Sequence, residues 1–310
     1  MEACPHLLNR QIQTVHDVID PKFSLRVLQW NALARCYTSP KHYPLLSREI
    51  VEFDNRKDLI SKEIKSYEAD VICLEEVDKT DLKFFNSLYP ETYSFSHAKK
   101  PHSRDGTSIM IKKSFEIIEE AIIEHTNEEG QKDNLISQIV VAKHFDKEIQ
   151  VCLIVVTCHL KADTWTASCE HVRLRQAKQI IEAIEKKKQL CLELLGQKKE
   201  NIFVIVCGDF NDNPGAKPTE EFLSHKELSL KSAYHDAEYT LFQMYGYNEY
   251  TLKSVVDYVM YSDNLILTKK LSPPEEGKIG KDGLLDKEFP SDHLPLFCEL
   301  AFQGVQEESK

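Results

Sequence analysis

Eight apolar runs of strand length, most of them ending directly at polar residues, constrain the fold of this chain more than any other feature. They are rich in β-branched residues and are separated by turn-forming segments, which is typical of strands. They cover residues 25–30, 69–74, 107–111, 138–142, 150–157, 202–207, 255–261 and 296–301. Apolar residues recur at helical spacing in residues 55–67 and 166–195. We therefore predict an α/β protein in which helices flank a two-layered β-sandwich.

A chain of 310 residues with 42% hydrophobic residues can bury one large core. We predict one domain over residues 23–302, an N-terminal extension at residues 1–22 and a flexible tail at residues 303–310. Residues 124–134 and 273–290 are polar or rich in glycine and proline, so we predict that both are surface loops. No apolar run approaches the ~18 residues that a membrane span requires, and no secretory signal precedes residue 22. We expect no contact with a membrane.

The cysteines and the net charge restrict the cellular setting. Nine cysteines occur without a C-x-x-C pair, and Cys73, Cys152, Cys207 and Cys298 lie inside apolar runs. This pattern favours buried free thiols in a reducing compartment over disulfides or zinc ligands, so we predict a cytoplasmic protein. The net charge of −11 argues against a surface that binds nucleic-acid phosphates along its length.

Polar residues with metal-binding or proton-transfer chemistry fall at the ends of the predicted strands. They are Asn31, Glu75, Glu76, His159, Asp209, Asn211, Asp257, Asp292 and His293. Taken singly, an Asp or Asn after a strand is usually a turn or cap residue. In a sandwich, however, these strand ends can converge at one mouth. The set therefore predicts a single polar site.

Seven motifs carry a family resemblance, in the order in which that family has them. They are L-Q-W-N-A-L-A (28–34), I-C-L-E-E-V-D (72–78), D-G (105–106), T-C-H-L-K-A (157–162), G-D-F-N-D-N-P (208–214), V-D-Y-V-M-Y-S (256–262) and P-S-D-H-L-P-L (290–296). The chain resembles the exonuclease/endonuclease/phosphatase superfamily, in particular its deadenylase and nocturnin branch. The resemblance covers residues 25–302 and implies a DNase I-like fold with four layers, α/β/β/α, and a catalytic domain over residues 23–302.

The resemblance also implies hydrolysis of phosphoester bonds with Mg²⁺, or with Mn²⁺ in its place. Glu76 would be the main metal ligand, because Mg²⁺ prefers carboxylate oxygens together with water and phosphate, and Asp292 would assist. The implied catalytic residues are Asn31, His159, Asp209, Asn211, Asp257 and His293. His293 would transfer protons with Asp257 as its partner, and His159 would donate to a phosphate oxygen. Lys161 and Arg173 are candidates for binding substrate phosphates.

Substrate choice stays open at this stage, because the chain departs from the family pattern. Asp163 stands where nocturnin-like proteins have a basic residue, the segment between Thr251 and Asp257 is short, and Glu75 replaces the usual Gln. RNA 3′ ends or adenine nucleotides are the favoured substrates. The alternatives are a nocturnin-like NADP(H) 2′-phosphatase and a phosphodiesterase of small nucleotides or cyclic phosphates. A recruiting protein would compensate for the acidic surface. The alternative to an enzyme is a noncatalytic binding module with the same fold.

Overall fold

The computed structural model describes residues 6–39, 42–145, 149–163, 168–196, 198–245, 250–275, 277–280 and 283–302, and two β-sheets packed face to face form its centre. The first sheet has the order β1 (Ile12–Thr14), β14 (Ile266–Leu271), β15 (Leu296–Phe302), β2 (Phe23–Asn31), β3 (Val71–Asp78), β5 (Asp105–Lys112) and β4 (Tyr93–Lys99). The second has the order β10 (Leu230–Ser232), β13 (Asp257–Ser262), β9 (Ile202–Asp209), β8 (Gln150–His159), β7 (Lys132–Phe145) and β6 (Glu116–Thr126). A separate hairpin joins β11 (Leu241–Tyr245) to β12 (Tyr250–Ser254).

Helices cover the outer faces of both sheets. They are α1 (Arg48–Val51), α2 (Phe53–Ser66), α3 (Leu82–Asn86), α4 (Glu170–Leu194) and α5 (Lys217–Leu223). Ile60 and Ile64 of α2 are fully buried in the core cluster that contains the first sheet, and Ile180 and Ile184 of α4 are buried in a second cluster with strands of the second sheet. Burial of these apolar stripes stabilises a helix that would be marginal alone. The layers are α/β/β/α, which confirms the predicted fold class.

Each sheet contains one parallel pair of strands joined through a helix, and these pairs position the polar strand ends. Helix α2 connects β2 to β3, whose register places Asn31 opposite Glu75. Helix α4 connects β8 to β9, where His159 lies opposite Asp209. Because parallel strands end on the same edge of a sheet, each pair delivers its polar residues to one place.

All eight predicted strands are present, and most are longer than their apolar runs. One loop prediction is wrong, because residues 124–134 mostly form the end of the β6–β7 hairpin and only residues 127–131 make its turn. The alternating exposure of β6, an edge strand, explains why its polar residues resemble a loop. The described part of residues 273–290 contains no named helix or strand. The predicted tail at 303–310 and residues 166–167 of the second predicted helix lie outside the described residues.

The described part of the N-terminal extension, residues 6–22, packs against the first sheet. Ile12 pairs with Leu271 at the start of the β1–β14 register. Buried Arg10 donates to the carbonyl oxygens of Ser272 (2.7 Å) and Pro295 (2.6 Å). Among the described residues, no helix is long and apolar enough to cross a membrane.

One cysteine prediction is wrong. Cys73, Cys207 and Cys298 are buried free thiols as expected, but Cys152 of β8 forms a disulfide with Cys191 of α4, with their Cα atoms 5.8 Å apart. Packing of α4 on the second sheet brings the two residues together from 39 positions apart in the chain. No short-range spacing rule detects such a pair, because tertiary packing alone creates the proximity.

Candidate active site

Asp209, the last residue of β9, lies at the centre of the predicted polar residues. Its Oδ2 accepts a hydrogen bond from Asn31 Nδ2 (3.0 Å). The same oxygen lies 3.7 Å from His159 Nε2 and 3.8 Å from His293 Nε2. All four side chains are at least nine-tenths buried, and they come from both sheets. The structure therefore brings these four predicted residues together around one carboxylate.

The G-D-F-N segment is built so that β8 and β9 approach closely just before Asp209. A Cβ atom on Gly208, whose φ is +151°, would lie 2.0 Å from the carbonyl oxygen of Cys158, so only glycine fits there. Asn211 has a φ of +52°, its backbone N–H donates to Asp209 Oδ1 (2.9 Å), and its Nδ2 donates to the carbonyl oxygen of Leu160 (3.0 Å). Asn211 thus holds the Asp209 carboxylate through its backbone.

His293 and Asp257 form a buried hydrogen-bonded pair. His293 Nδ1 and Asp257 Oδ2 are 2.8 Å apart, so the carboxylate fixes the Nδ1–H tautomer and leaves Nε2 facing Asp209. Burial alone would lower the pKa of His293, but the nearby carboxylates of Asp257 and Asp292 raise it well above its usual range. The pair can therefore hold a proton beside Asp209.

Glu76 reaches the site because β3 has an irregular register between Leu74 and Val77 against β5. In a regular strand, Glu75 and Glu76 would point to opposite faces of the sheet. Glu76 instead has a φ of +56°, and such a local distortion re-aims a side chain. Its Oε1 accepts from Asn31 Nδ2 (3.2 Å) and its Oε2 accepts from the backbone N–H of Ala34 (2.9 Å).

The carboxylates at this end of the sandwich raise one another's proton affinity. Burial, together with the negative charges of Asp105 and Asp292, raises the pKa of Glu76 to about 7. Burial also raises the pKa of Asp209 to about 6, with Asp257 adding to the rise and His293 opposing it. A bound cation would relieve this repulsion.

The residues present fit a metal ion. Asp292 is buried, its Oδ2 accepts from Tyr43 Oη (2.8 Å), and its Oδ1 has no hydrogen-bond donor among the residues that the structure describes. A buried carboxylate oxygen without a donor is costly unless a cation or water satisfies it. Asp209, Asp257 and His293 form a second candidate group, with one ligand atom from each within 4.8 Å of the others. A metal ion bound between Asp209, Asp257 and His293 would disrupt the hydrogen bond between His293 and Asp257. The position beside Asp292 is therefore favoured.

The loop that carries Asp292 and His293 is anchored to the end of β2. Ser291 Oγ donates to the carbonyl oxygen of Asn31 (2.8 Å), and Trp30 Nε1 donates to that of His293 (2.8 Å). Buried Arg56 of α2 donates to four carbonyl oxygens, those of Ala32, Leu33, Val51 and Pro290. The guanidinium therefore links the segment after Asn31 to the segment before Asp292.

Lys100 places a buried cation beside His159. Its Nζ donates to Asp105 Oδ2 (2.6 Å) and lies 3.5 Å from His159 Nδ1. Burial, Lys100 and His293 together hold the pKa of His159 well below its usual range, so the imidazole is neutral near pH 7. Tyr37 Oη adds a hydrogen bond to Asp105 Oδ1 (3.0 Å).

The two predicted phosphate-binding residues differ in their surroundings. Lys161 is half-buried and lies two positions after the site residue His159 in sequence. Only 2% of the Arg173 side chain is exposed, and its guanidinium pairs with Asp163 Oδ1 (2.6 Å) and Asp212 Oδ2 (2.7 Å). The structure therefore gives Arg173 a role in joining the segments after β8 and β9.

Some site residues were not among the candidates predicted from the sequence. Asp105 is the first residue of the D-G motif and Lys100 lies five positions before it, so the motif is the signal that could have identified them. Tyr43 lies in a loop without a motif and carries no comparable signal. Gln29 belongs to the motif at residues 28–34, but an amide inside an apolar run does not by itself indicate a role in the site.

Comparisons with known proteins identify the family of the chain. The model of the Endonuclease/Exonuclease/phosphatase family matches residues 28–293. Nocturnin from Xenopus laevis is 29% identical over 90% of this chain and 73% of its own length. The CCR4-Not complex 3′-5′-exoribonuclease subunit Ccr4 of Aspergillus niger is 24% identical over 94% of this chain and about half of its own length, 54%.

Two solved structures have the same fold. The human Nocturnin catalytic domain with bound sulfate superimposes with a TM-score of 0.69 at 25% identity, covering 96% of this chain and 99% of the other. The 2′,3′-cyclic phosphatase ANGEL2, in complex with adenosine-2′,3′-vanadate, has a TM-score of 0.73 at 18% identity, covering 95% and 99%. The second likeness concerns the fold alone.

Fold and site together define a hydrolase that acts on phosphoester bonds and has carboxylates suited to a metal ion. The chain belongs to the Endonuclease/Exonuclease/phosphatase family, which confirms the resemblance of its seven motifs.

Proposed function

We propose that the protein is a Mg²⁺-dependent hydrolase that cleaves phosphoester bonds at RNA 3′ ends or in adenine nucleotides. The observation that carries the proposal is the convergence of Asn31, His159 and His293 on one oxygen of Asp209. An Asp in this position can orient a water or a leaving oxygen. The neighbouring imidazoles can transfer protons and stabilise negative charge on the phosphoryl oxygens.

Glu76 and Asp292 would hold the Mg²⁺, with Mn²⁺ as a substitute. The ion supplies charge neutralisation on the phosphoryl oxygens and lowers the pKa of water. His293, oriented by Asp257, transfers a proton at Nε2. Neutral His159 can donate to a nonbridging oxygen, and Lys161 is the predicted contact to a neighbouring phosphate.

The choice of a nucleotide or RNA substrate rests on the relatives. The apolar gap beside Asp292, which Tyr43, Phe242 and Leu285 help to line, has a volume of about 10 Å³ and is too small for a nucleobase. The 3′-5′-exoribonuclease named among the relatives supports RNA as the polymer.

Two further proposals concern the cellular setting. A recruiting protein would supply RNA affinity, because the net charge of −11 gives little attraction for phosphates. A cytoplasmic location rests on the buried free thiols Cys73, Cys207 and Cys298, and the disulfide between Cys152 and Cys191 argues against it.

Parallel turnover of oligo(A), mixed-sequence RNA, NADP⁺, NADPH and RNA with 2′,3′-cyclic ends, each with Mg²⁺, Mn²⁺ or chelator, tests the proposal. Asp209→Ala is the inactive reference. We expect the highest kcat/KM on RNA with free 3′ ends and no turnover with chelator. Preference for NADP(H) or for cyclic ends would replace the proposed substrate. Activity that survives chelation would contradict the metal-dependent mechanism.

A further inference from the structure

A buried hydrogen-bonded network lies behind the His293–Asp257 pair and crosses between the two sheets. Gln29 of β2 and Glu75 of β3 come from the first sheet, and Thr157 of β8 and Asp257 of β13 come from the second. All four residues are 0% exposed. Polar groups in such a position must be matched to one another, because water cannot satisfy them.

Gln29 occupies the middle of this network. Its Nε2 donates to Glu75 Oε2 (2.7 Å) and to Asp257 Oδ1 (3.0 Å). An amide nitrogen has two hydrogens, so these two bonds use both of them. The amide carbonyl cannot take the same place, since it would face the acceptor oxygen Oδ1 of Asp257. The contacts therefore set the orientation of the Gln29 amide.

Glu75 is itself fixed from the other sheet. Thr157 Oγ1 donates to Glu75 Oε1 (2.6 Å), so each oxygen of this carboxylate has one donor. Hydrogen bonds thus connect Thr157 with Glu75, Glu75 with Gln29, and Gln29 with Asp257. Each side chain limits the rotation of the next.

Asp257 needs two donors to be held in one plane. Its Oδ2 bonds to His293 Nδ1 at 2.8 Å, and its Oδ1 bonds to Gln29. A carboxylate held at one oxygen can still rotate about its Cβ–Cγ bond, whereas donors at both oxygens fix its plane. The direction in which Asp257 presents Oδ2 sets the direction of the imidazole.

We propose that Gln29 is a positioning residue for phosphoester hydrolysis, and that it orients His293 through Asp257 while Glu75 and Thr157 hold its amide in place. The kinetic part of this inference rests on the proposed function. The structural part, the orientation of His293 in the resting protein, does not.

The test combines NMR of the resting protein with kinetics for Gln29→Leu, which has a similar size and no donor. The resonance of the His293 Nδ1 proton is identified by its loss in His293→Gln. In Gln29→Leu we expect this proton to shift upfield or to exchange too fast for detection. We expect kcat to fall about 10- to 100-fold, the usual effect of removing a partner that orients a functional side chain, with KM unchanged.

Gln138→Leu is the matched control, since Gln138 is also a buried amide on a strand and lies opposite Thr157, but its Nε2 donates to Ser96 Oγ and to no member of the network. This variant should keep both the His293 resonance and kcat. If Gln29→Leu does not fold, Thr157→Val preserves shape and removes one donor to Glu75. It should then move the resonance in the same direction by a smaller amount.

An unchanged His293 resonance in Gln29→Leu, or in Thr157→Val if the first variant does not fold, would overturn the inference. An equal change in Gln138→Leu would also overturn it, by showing a general effect of losing a buried amide. A shifted resonance in a protein that hydrolyses no phosphoester in the panel would support the positioning role and reject the proposed function.

Discussion

At the residue scale, the adjacent glutamates Glu75 and Glu76 show how backbone geometry assigns different chemistry to the same side chain. Glu75 keeps the regular direction of β3 and is fully buried between the sheets, where burial raises its pKa well above its usual range. Glu76 is half-buried, has a positive φ and faces Asn31. One distorted residue therefore separates a carboxylate of the buried network from a candidate metal ligand.

The position of Arg173 gives a prediction at this scale. Arg173→Met should lower the free energy of unfolding by about 1–3 kcal/mol, because Asp163 and Asp212 lose the charged donor that joins their segments. KM for a short oligonucleotide should stay unchanged if Arg173 does not contact substrate. Urea unfolding and steady-state kinetics measure the two quantities.

Arg175→Met is the control for this prediction, because Arg175 lies on the same helix and its Nε donates to the carbonyl oxygen of Thr126. Stability equal to wild type together with a raised KM for Arg173→Met would instead support the phosphate-binding role that its sequence position predicts.

At the scale of elements, the long edge strand β6 is held to α4 through a buried histidine. His125 Nδ1 lies 3.0 Å from Gln179 Oε1, and its Nε2 lies 2.9 Å from Ser137 Oγ on β7. Burial lowers the pKa of His125 below its ordinary value of 6.5, although the hydrogen bond with Gln179 opposes the shift. The folded protein therefore favours the neutral imidazole at this contact.

Acidification should weaken this contact. Below about pH 6.5 the unfolded chain takes up a proton at His125 that the folded protein resists, so this residue's contribution to stability falls by at most about 1.4 kcal/mol per pH unit. The contribution is fully present above the unfolded pKa. His125→Gln should therefore cost less stability at pH 5.5 than at pH 7.5, as measured by urea unfolding of both proteins at both pH values. A cost that grows on acidification would contradict the assignment.

The disulfide between β8 and α4 gives a second prediction for these elements. Linking residues 39 positions apart restricts the unfolded chain, so Cys191→Ser should lower the free energy of unfolding by about 3–4 kcal/mol under oxidising conditions. Wild-type protein in dithiothreitol should approach the variant, and the variant should not respond to the reductant. An unchanged wild-type stability on reduction would show that the thiols are not linked in solution.

The strands differ in how well the sequence predicts them. The central strands β2, β3, β8 and β9 are predictable, because strands buried on both faces are continuously apolar. Strand β6 is not, since its alternating Glu and Ile residues suit an exposed edge and resemble a polar loop. The very short β1 and β10 have too few residues for periodicity to show.

The candidate site follows the same division. Asn31, Asp209, Asp257 and His293 are predictable, because polar residues at the ends of apolar runs stand out and belong to motifs. Tyr43 is not predictable, and the motif that contains Gln29 does not reveal what Gln29 contacts. Their hydrogen bonds to Asp292 and Asp257 span 249 and 228 positions of the chain, and local patterns cannot detect such contacts.

At the scale of the whole molecule, a chain with a negative net charge carries a candidate site for an anionic substrate. The net charge is −11, and the cation nearest to His159, Lys100, is buried and paired with Asp105. Lys161 is the predicted residue left to meet substrate phosphates. The protein should therefore bind few phosphates beyond the one it cleaves.

This charge distribution predicts weak salt dependence. With Mg²⁺ saturating, log kcat/KM for oligo(A) plotted against log salt concentration should have a slope shallower than about −2, since each neutralised phosphate of a single strand contributes about −0.7. A dinucleotide serves as the control, and its slope should be similar. A much steeper slope for long oligo(A) would reveal an extended phosphate-binding surface and would remove the need for a recruiting protein.

The two parallel strand pairs have a consequence for which insertions and deletions the fold tolerates. Strand β2, helix α2 and strand β3 repeat the path of strand β8, helix α4 and strand β9 in the opposite sheet. Each unit ends with polar residues at the same point of its path, Asn31 opposite Glu75 in one and His159 opposite Asp209 in the other. Each crossover therefore positions two site residues together. A change in the length of either crossover should displace both members of its pair, whereas a change in a surface hairpin such as β6–β7 should displace neither.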